Sequence, residues 1–364
     1  MSIADAATAI SVRETAELFA SFPNSGRVIL AVSGGADSTA LLVLAQRWRQ
    51  RRTRGPELIA ATVDHGLRPG SGSEAKAVGA LARRLGVQHK ILSWRGTKPK
   101  TGIEATARAA RYRLLTELAR QVGAEAIATA HTLDDQAETV LMRLASGSGP
   151  AGLAGMRPRD ARDGLVLLRP FLGVRKARLV ATLTRAGIAW VEDPMNADPA
   201  FARPRLRAAA AVLAREGLTA ERVGRLAARM ARYEDAVAAA VEAARAHIAD
   251  PQRPGRLDGR ALAAAPEEVA LRLLTDAILG AGAPCTMEKP PRLQRLEAMW
   301  CDLRAAIAEG RATRRTLADA LIAVDRDGTV SITVAPPRRS PQRQTTAASR
   351  GRRNAAKHPF TKPR

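Results

Sequence analysis

Cysteine is nearly absent from this chain: Cys285 and Cys301 are the only two in 364 residues. They form neither a CxxC pair nor a zinc-ligand spacing, so a disulfide framework is excluded and a reducing, cytoplasmic setting fits. Aromatic residues make up 3% of the chain, too few for recognition by broad base-stacking platforms. No run of about 18 uninterrupted apolar residues occurs, so no membrane span is expected. The first residues carry Asp5 and Glu14 and lack a compact apolar core, unlike a signal peptide. Acid is the scarce charge, with 35 Asp and Glu against 58 Lys and Arg, a net +23. An excess of that size points to a polyanionic partner, most often nucleic acid. A chain of this length exceeds one small core, and two domains plus a tail is the natural division.

What the sequence does have is concentrated in one stretch, Ala31-Val32-Ser33-Gly34-Gly35-Ala36-Asp37-Ser38-Thr39. It follows an apolar, β-branched run at 28–32 and precedes a run at 39–44 that continues at helical spacing. A strand, a tight glycine turn and a helix start is where an α/β protein holds phosphate. Adjacent glycines let the backbone approach an anion with no Cβ in the way. The turn's N–H groups and the helix N-terminus supply partial positive charge. Ser33 and Ser38 add hydroxyl donors, and the Asp37 carboxylate makes sense there if a metal shares the site. Neither the GxxxxGK[ST] loop nor the G-x-G-x-x-G fingerprint is present.

Alternating strand and helix signals continue downstream. The spacing predicts strands at 58–63, 87–94 and 124–130, with helices at 6–19, 73–85 and 176–186, hence a parallel sheet covered on both faces. Strand ends are the informative places, because polar residues there line the ligand crevice of such folds. The second strand ends in Asp64-His65-Gly66-Leu67-Arg68, and His65 alone reads equally as a loop histidine. Arg108 and Arg111 share a helix face with Glu104, either as surface pairs or aimed at phosphate. The fourth strand ends in His131-Thr132-Leu133-Asp134-Asp135-Gln136-Ala137-Glu138-Thr139. Thr132 and Asp135 also fit a capping box, but His131, Asp134 and Glu138 fall where the crevice must lie. The glycine-rich stretch 146–156 reads as a flexible loop suited to a lid or substrate clamp. Arg203, Arg205 and Arg207 form a cluster that means phosphate contact where it borders a cleft and solvated surface where it does not, whereas the basic run at 47–54 reads as a solvated face. Residues 335–364 hold nine Lys and Arg and no acid, and read as a disordered basic tail.

The Ser-Gly-Gly-x-Asp-Ser loop resembles that of the PP-loop ATP pyrophosphatases, which split ATP between its α and β phosphates. Further blocks occur in one order: Asp64-His65-Gly66-Leu67-Arg68; Glu104 with Arg108-Ala109-Ala110-Arg111-Tyr112; and His131-x-x-Asp134-Asp135-Gln136-x-Glu138-Thr139. Gly147-Ser148-Gly149-Pro150-Ala151-Gly152-Leu153, Arg169-Pro170 and Glu192-Asp193-Pro194-x-Asn196 follow. Together they resemble the tRNA(Ile)-lysidine synthase family over 27–207. Met195 and Pro204 depart from its usual serine and asparagine.

The resemblance implies an α/β fold, a parallel doubly wound PP-loop sheet of the adenine nucleotide alpha hydrolase-like kind, with a second, mainly helical domain. Residues 1–207 would be the catalytic domain, 208–334 a helical linker and smaller tRNA-contacting domain, and 335–364 the tail. The implied reaction ligates free L-lysine to C2 of the wobble cytidine of tRNA(Ile), using ATP and Mg²⁺, in the cytoplasm, and is compatible with a homodimer. Ser33, Gly34, Gly35, Ala36, Asp37, Ser38, Asp64 and His65 would hold ATP, with Asp37 also on the metal. His131, Asp134 and Glu138 would bind and deprotonate lysine, and Arg108, Arg111, Arg203, Arg205 and Arg207 would contact tRNA phosphate. A thiolase on the same fold would need cysteines near the crevice. In a non-catalytic RNA-binding protein, Asp37 and the acids of 134–138 would have no purpose.

Overall fold

The computed structural model describes residues 8–66, 70–96, 103–162, 164–191, 202–281 and 291–336. They divide into two compact units, Met1–Ala238 and Ala239–Arg364.

The first unit begins with α1 (Val12–Leu18), started by a Ser11–Glu14 capping box. Its next elements are β1 (Arg27–Ala31), α2 (Ala36–Gln50), β2 (Glu57–Asp64), α3 (Ser71–Arg84), β3 (Gln88–Ser93) and α4 (Ile103–Val122). Then come β4 (Ala126–Ala128), α5 (Leu133–Ala145), α6 (Pro150–Leu153), β5 (Arg159–Arg162), β6 (Leu165–Leu168), α7 (Lys176–Arg185), α8 (Ala202–Arg215) and α9 (Ala220–Ile248). The sheet order is β3-β2-β1-β4-β6-β5, parallel except for the edge strand β5. Chain order runs outward from β1 through β2 to β3, then resumes on its other side at β4. The β1/β4 boundary is therefore the switch point, where a crevice opens beyond the strand ends.

Both faces of β1 are buried, as a central parallel strand requires. Val28, Leu30 and Val32 pack with Leu41, Leu42 and Leu44 of α2 and Leu179 and Leu183 of α7. Ile29 points the other way, into a cluster with Leu115, Leu118 and Ile127. Val28, Ile29 and Leu30 have no exposed surface, and each such burial is worth about 1.5–3 kcal/mol. The scarce aromatics gather in one place, where Phe19 meets Phe22, Trp48 and Phe171 at ring separations of 4.9, 5.7 and 6.0 Å.

The second unit holds β7 (Arg256–Asp258), α10 (Gly259–Ala264), α11 (Glu267–Ala281), α12 (Leu293–Ala308), β8 (Thr313–Leu317), β9 (Ala320–Val324) and β10 (Thr329–Val334). A tight turn at Asp325–Gly328 joins β9 to β10, inside a four-stranded antiparallel sheet ordered β7-β10-β9-β8. Trp300, Leu303, Leu274, Ile322 and Val330 are buried there.

Two expectations change. The unit boundary falls at Ala238/Ala239 within α9 rather than after 207. The reason is packing: Val223 and Ala227 of α9 bury with Ala137 and Val140 of α5, and Asp235 pairs with Arg157 at 2.9 Å. The glycine-rich stretch is not a loose loop either. Arg143 Nη1 donates to the Gly152 and Gly155 carbonyls at 2.8 and 3.1 Å, and Gln136 exchanges two hydrogen bonds with the Met156 backbone. Leu67, Arg68, residues 192–196, Cys285 and residues 337–364 lie outside the described residues, as does the side chain of Glu104.

Candidate active site

The crevice at the switch point is a cleft of about 670 Å³, within the range of small-molecule sites. The turn after β1 forms its floor. Gly34 sits at φ +95°, a left-handed conformation that a side chain resists, and its carbonyl accepts from Val191 N at 2.9 Å. Gly35 is the N-cap of α2 and, having no side chain, leaves the first-turn amides without a side-chain cap. A Cβ on Gly35 would meet nothing nearer than 3.9 Å, so protein packing alone does not demand glycine there. Ser38 Oγ accepts from Ser33 N at 3.1 Å and donates to the Gly35 carbonyl at 3.0 Å, while the two serine hydroxyls lie 3.1 Å apart. Thr39 Oγ1 donates to the Gly34 carbonyl at 3.1 Å. The serines and Thr39 brace the turn that leads into the uncapped first-turn amides of α2, a place suited to an anion.

Asp37 stands in the first turn of α2. Its Oδ2 accepts from Lys176 Nζ at 3.0 Å, and its Oδ1 is buried and takes no hydrogen bond among the described residues. Burial pushes its carboxyl above the usual range, and Asp135 and Asp134 add repulsion that Lys176 opposes. A buried, unused carboxylate oxygen beside a phosphate-type loop fits a hard divalent cation, which commonly takes one or two carboxylates and completes its shell with phosphate and water. No cluster of three His, Cys, Asp or Glu able to hold a metal alone occurs among the described residues.

Asp64 and His65 also line the cleft. Asp64 Oδ1 accepts from Gly66 N at 2.9 Å and from Ser71 Oγ at 2.7 Å. His65 stacks edge-on against Trp94 and faces Arg111 Nη2 at 3.5 Å. Arg108 lies over the Tyr112 ring at 5.3 Å, and both arginines line the cleft. Arg203 and Arg207 join them, one helical turn apart on α8; Arg205, two residues from each, faces elsewhere and does not line it.

At the end of β4 the expected cluster separates. His131 lines the cleft, with Nδ1 2.9 Å from Thr129 Oγ1. Burial, reinforced by Arg108, Arg169 and Arg203, pushes its pKa down to about 4 against the pull of Asp135, so it is neutral at pH 7. Asp135 lines the cleft too, but Oδ2 closes a capping box with Thr132. Asp134 and Glu138 are not among the lining residues. Asp134 accepts from Arg175 Nε at 3.0 Å and from Lys176 N at 2.7 Å, so it caps α7 from a different helix. Glu138 is buried and gripped by Arg207 through two bonds, Nε at 2.6 Å and Nη2 at 3.1 Å. Burial raises its carboxyl pKa, and Arg207 only partly counters this. The geometry thus supports His131 as a cleft residue and gives Asp134 and Glu138 arginine partners, in place of three groups around one ligand.

Lys176 is a cationic cleft residue that sequence reasoning missed, as it missed Ser71, Glu74 and Asp135 of the same lining. It lies 139 positions from Asp37, and only the packing of α7 on α2 brings the two together. Its sole sequence signal was a lysine at a helix start, where a cation opposes the helix dipole.

Residues 7–213 match the PP-loop domain family. The chain is 54% identical to a tRNA(Ile)-lysidine synthase of Methylobacterium sp. (strain 4-46), covering 88% of this chain and 92% of that one. It is 49% identical to another of that name from Bradyrhizobium sp. (strain BTAi1 / ATCC BAA-1182), covering 91% and 96%. Among solved structures, a U34-tRNA thiolase from Methanococcus maripaludis with its [4Fe-4S] cluster superimposes with a TM-score of 0.52. That match has 17% identity and covers 60% of this chain and 78% of that one, a likeness of fold.

Proposed function

The chain belongs to the tRNA(Ile)-lysidine synthase family, ATP-dependent ligases acting on tRNA(Ile), and from that premise we propose that this one cleft runs both halves of lysidine formation. The observation that carries the reading is the uncapped N-terminus of α2, opening with Asp37 into the same cleft as His131.

In the first half, the loop amides with Ser33 and Ser38 hold the ATP phosphates at the helix N-terminus. Asp37 would hold Mg²⁺, which supplies charge neutralisation to the phosphates. Cytosine O2 attacks the α-phosphorus, the α–β bond breaks, and pyrophosphate leaves, so AMP rests on O2. That converts a very poor leaving group into a good one. In the second half the lysine amine attacks C2, the C2–O2 bond breaks, and AMP departs with O2. Free lysine titrates near about 10.4, far above His131 at about 4, so His131 does not deprotonate the free ammonium. Desolvation in the cleft favours the neutral amine. As the C–N bond forms, the nitrogen becomes far more acidic, and neutral His131 then suits proton removal. Asp135, which lines the same cleft as His131, is an acid that could face the lysine there.

Arg108, Arg111, Arg203 and Arg207, which line the cleft, suit the tRNA backbone, and residues 208–334 and the basic segment 335–364 would add tRNA contacts of their own. A cytoplasmic location follows from the tRNA substrate, and no described helix is long and apolar enough to cross a membrane. A thiolase reading, suggested by the fold neighbour, lacks its cysteines: the unit 1–238 contains none, and Cys301 is an exposed residue of α12. The test is incubation with ATP, labelled lysine and bacterial tRNA. Labelled tRNA with stoichiometric AMP and pyrophosphate is expected. Turnover of ATP without lysine transfer would overturn the reading.

A further inference from the structure

We infer that Lys176 is a phosphate-binding residue of the nucleotide site, parked on Asp37 while the site is empty and released to the triphosphate when ATP arrives. The inference deepens the proposed function and rests on its ATP site.

Lys176 is the one lysine among the described residues lining the cleft, and its side chain is about half exposed there. An ion pair that open to water contributes little to stability, so the fold alone gives small reason for it. Its position is nevertheless well fixed. The Lys176 backbone N–H is held by Asp134 Oδ2 at 2.7 Å, and Leu179 and Leu183 anchor the rest of α7 in the core against α2. The stem is thus rooted while the ammonium is free to swing. It rests 3.0 Å from a carboxylate in the first turn of α2, the turn whose amides carry no side-chain cap. An incoming triphosphate brings several negative charges to Asp37, which already carries an unbonded buried oxygen. The nearest cation must then serve the phosphates. Lysine suits the task, because its compact charge on a flexible stem re-aims without the fixed geometry that a guanidinium fork imposes. Arg108, Arg111, Arg203 and Arg207 complete the positive rim around the same space.

The experiment is calorimetric titration of the full chain with ATP, inorganic pyrophosphate and adenosine, in EDTA and again with MgCl₂. It compares the unaltered protein with Lys176→Ala, Lys176→Arg, Asp37→Asn and the double variant. Lost charge-assisted contacts predict that Lys176→Ala weakens ATP and pyrophosphate about 10- to 100-fold and leaves adenosine within about twofold. Lys176→Arg should recover part of the loss. The same loss must persist in the Asp37→Asn background, since the phosphate contact does not run through Asp37. Unchanged pyrophosphate affinity in Lys176→Ala would overturn the inference. So would a loss that vanishes when Asp37 is already asparagine, because Lys176 would then act only as a counter-ion to Asp37. If the unaltered chain binds neither ATP nor pyrophosphate, the nucleotide reading itself fails and takes this inference with it. Circular dichroism of each variant checks that α7 is retained, as expected from a substitution that keeps the backbone N–H bonded to Asp134.

Discussion

Glu138 and Arg207 should respond to mutation very unequally, although they are two halves of one bidentate pair. Glu138 has a side chain only 9% exposed, whereas that of Arg207 is 42% exposed. Burial raises the Glu138 pKa despite Arg207, so desolvating the carboxylate already costs more than the pair returns. Glu138→Gln removes the charge that is expensive to bury and leaves an arginine that water can reach. Its effect should be within about 1 kcal/mol, since exposed ion-pair terms are small. Arg207→Met instead strands a buried carboxylate. Breaking a buried pair from that side costs about 3–5 kcal/mol, and the exposure of Arg207 argues for the lower end. For a unit of this size about 3 kcal/mol lowers the melting temperature by roughly 6–12 °C. The double variant should return close to the unaltered protein. The sign of the pH effect follows from the raised pKa: Glu138's contribution is fully present below its unfolded value and is lost as pH rises through the folded one. The Arg207→Met deficit should therefore shrink on going from pH 7 to pH 5. Thermal melts of the four proteins at both pH values measure this. Equal destabilisation by Glu138→Gln and Arg207→Met would refute the burial argument. A normal melt for Glu138→Gln together with a steep rise in lysine KM would mean that Glu138 also serves the ligand.

Gly34→Ala and Gly35→Ala should separate fold from function. The first forces a Cβ into φ +95° and should cost about 1–2 kcal/mol in a melt, while the second meets no protein atom within 3.8 Å and should melt normally yet lose ATP in a binding titration. Asp37→Asn should abolish AMP release, keep tRNA binding in a filter assay, and leave the unfolding free energy unchanged or raised by up to about 1 kcal/mol, because its buried oxygen is unbonded. Ala318 and Asp319 both have positive φ in the two-residue turn between β8 and β9, which alanine resists; Ala318→Gly or Ala318→Asn should stabilise the second unit by about 0.5–1 kcal/mol in a denaturant titration.

The nucleotide loop and the sheet were legible in the sequence because both are written locally. A β-branched run, two glycines and a helix start specify the β1–α2 turn within about fifteen neighbouring residues, and a continuous apolar run marks a central strand buried on both faces. The strand order was legible only as a class, since the switch point arises from which strand pairs with β1 second. What spacing could not separate is the fate of like charges on one helix. Asp134, Asp135 and Glu138 sit within five positions of α5, yet they answer to α7, to their own helix N-terminus and to α8. Their partners Arg175, Lys176 and Arg207 lie 41 to 69 residues away, where no local pattern points. Lys176 was invisible for the same reason.

Asp134 shows how such a distant partner bears on the reaction. Two of its contacts fix the start of α7: one to the Arg175 side chain and one to the Lys176 amide. Arg175 in turn pairs with Glu221 in the first turn of α9, so one carboxylate ties α5, α7 and α9 together. Removing it with Asp134→Ala deletes a helix cap, a loss of about 0.5–2 kcal/mol, and frees the root of the lysine that faces Asp37. If Asp134 held the lysine substrate, its removal would raise lysine KM and spare the ATP half-reaction. The geometry predicts the reverse order: a melting temperature lowered by a few degrees, a raised ATP KM, and lysine KM nearly unaltered. Asp134→Asn should be milder, because an amide oxygen still accepts from the Lys176 N–H. Measuring both KM values for the two variants decides between a ligand for the substrate and a cap for α7. A selective rise in lysine KM would return Asp134 to the substrate site.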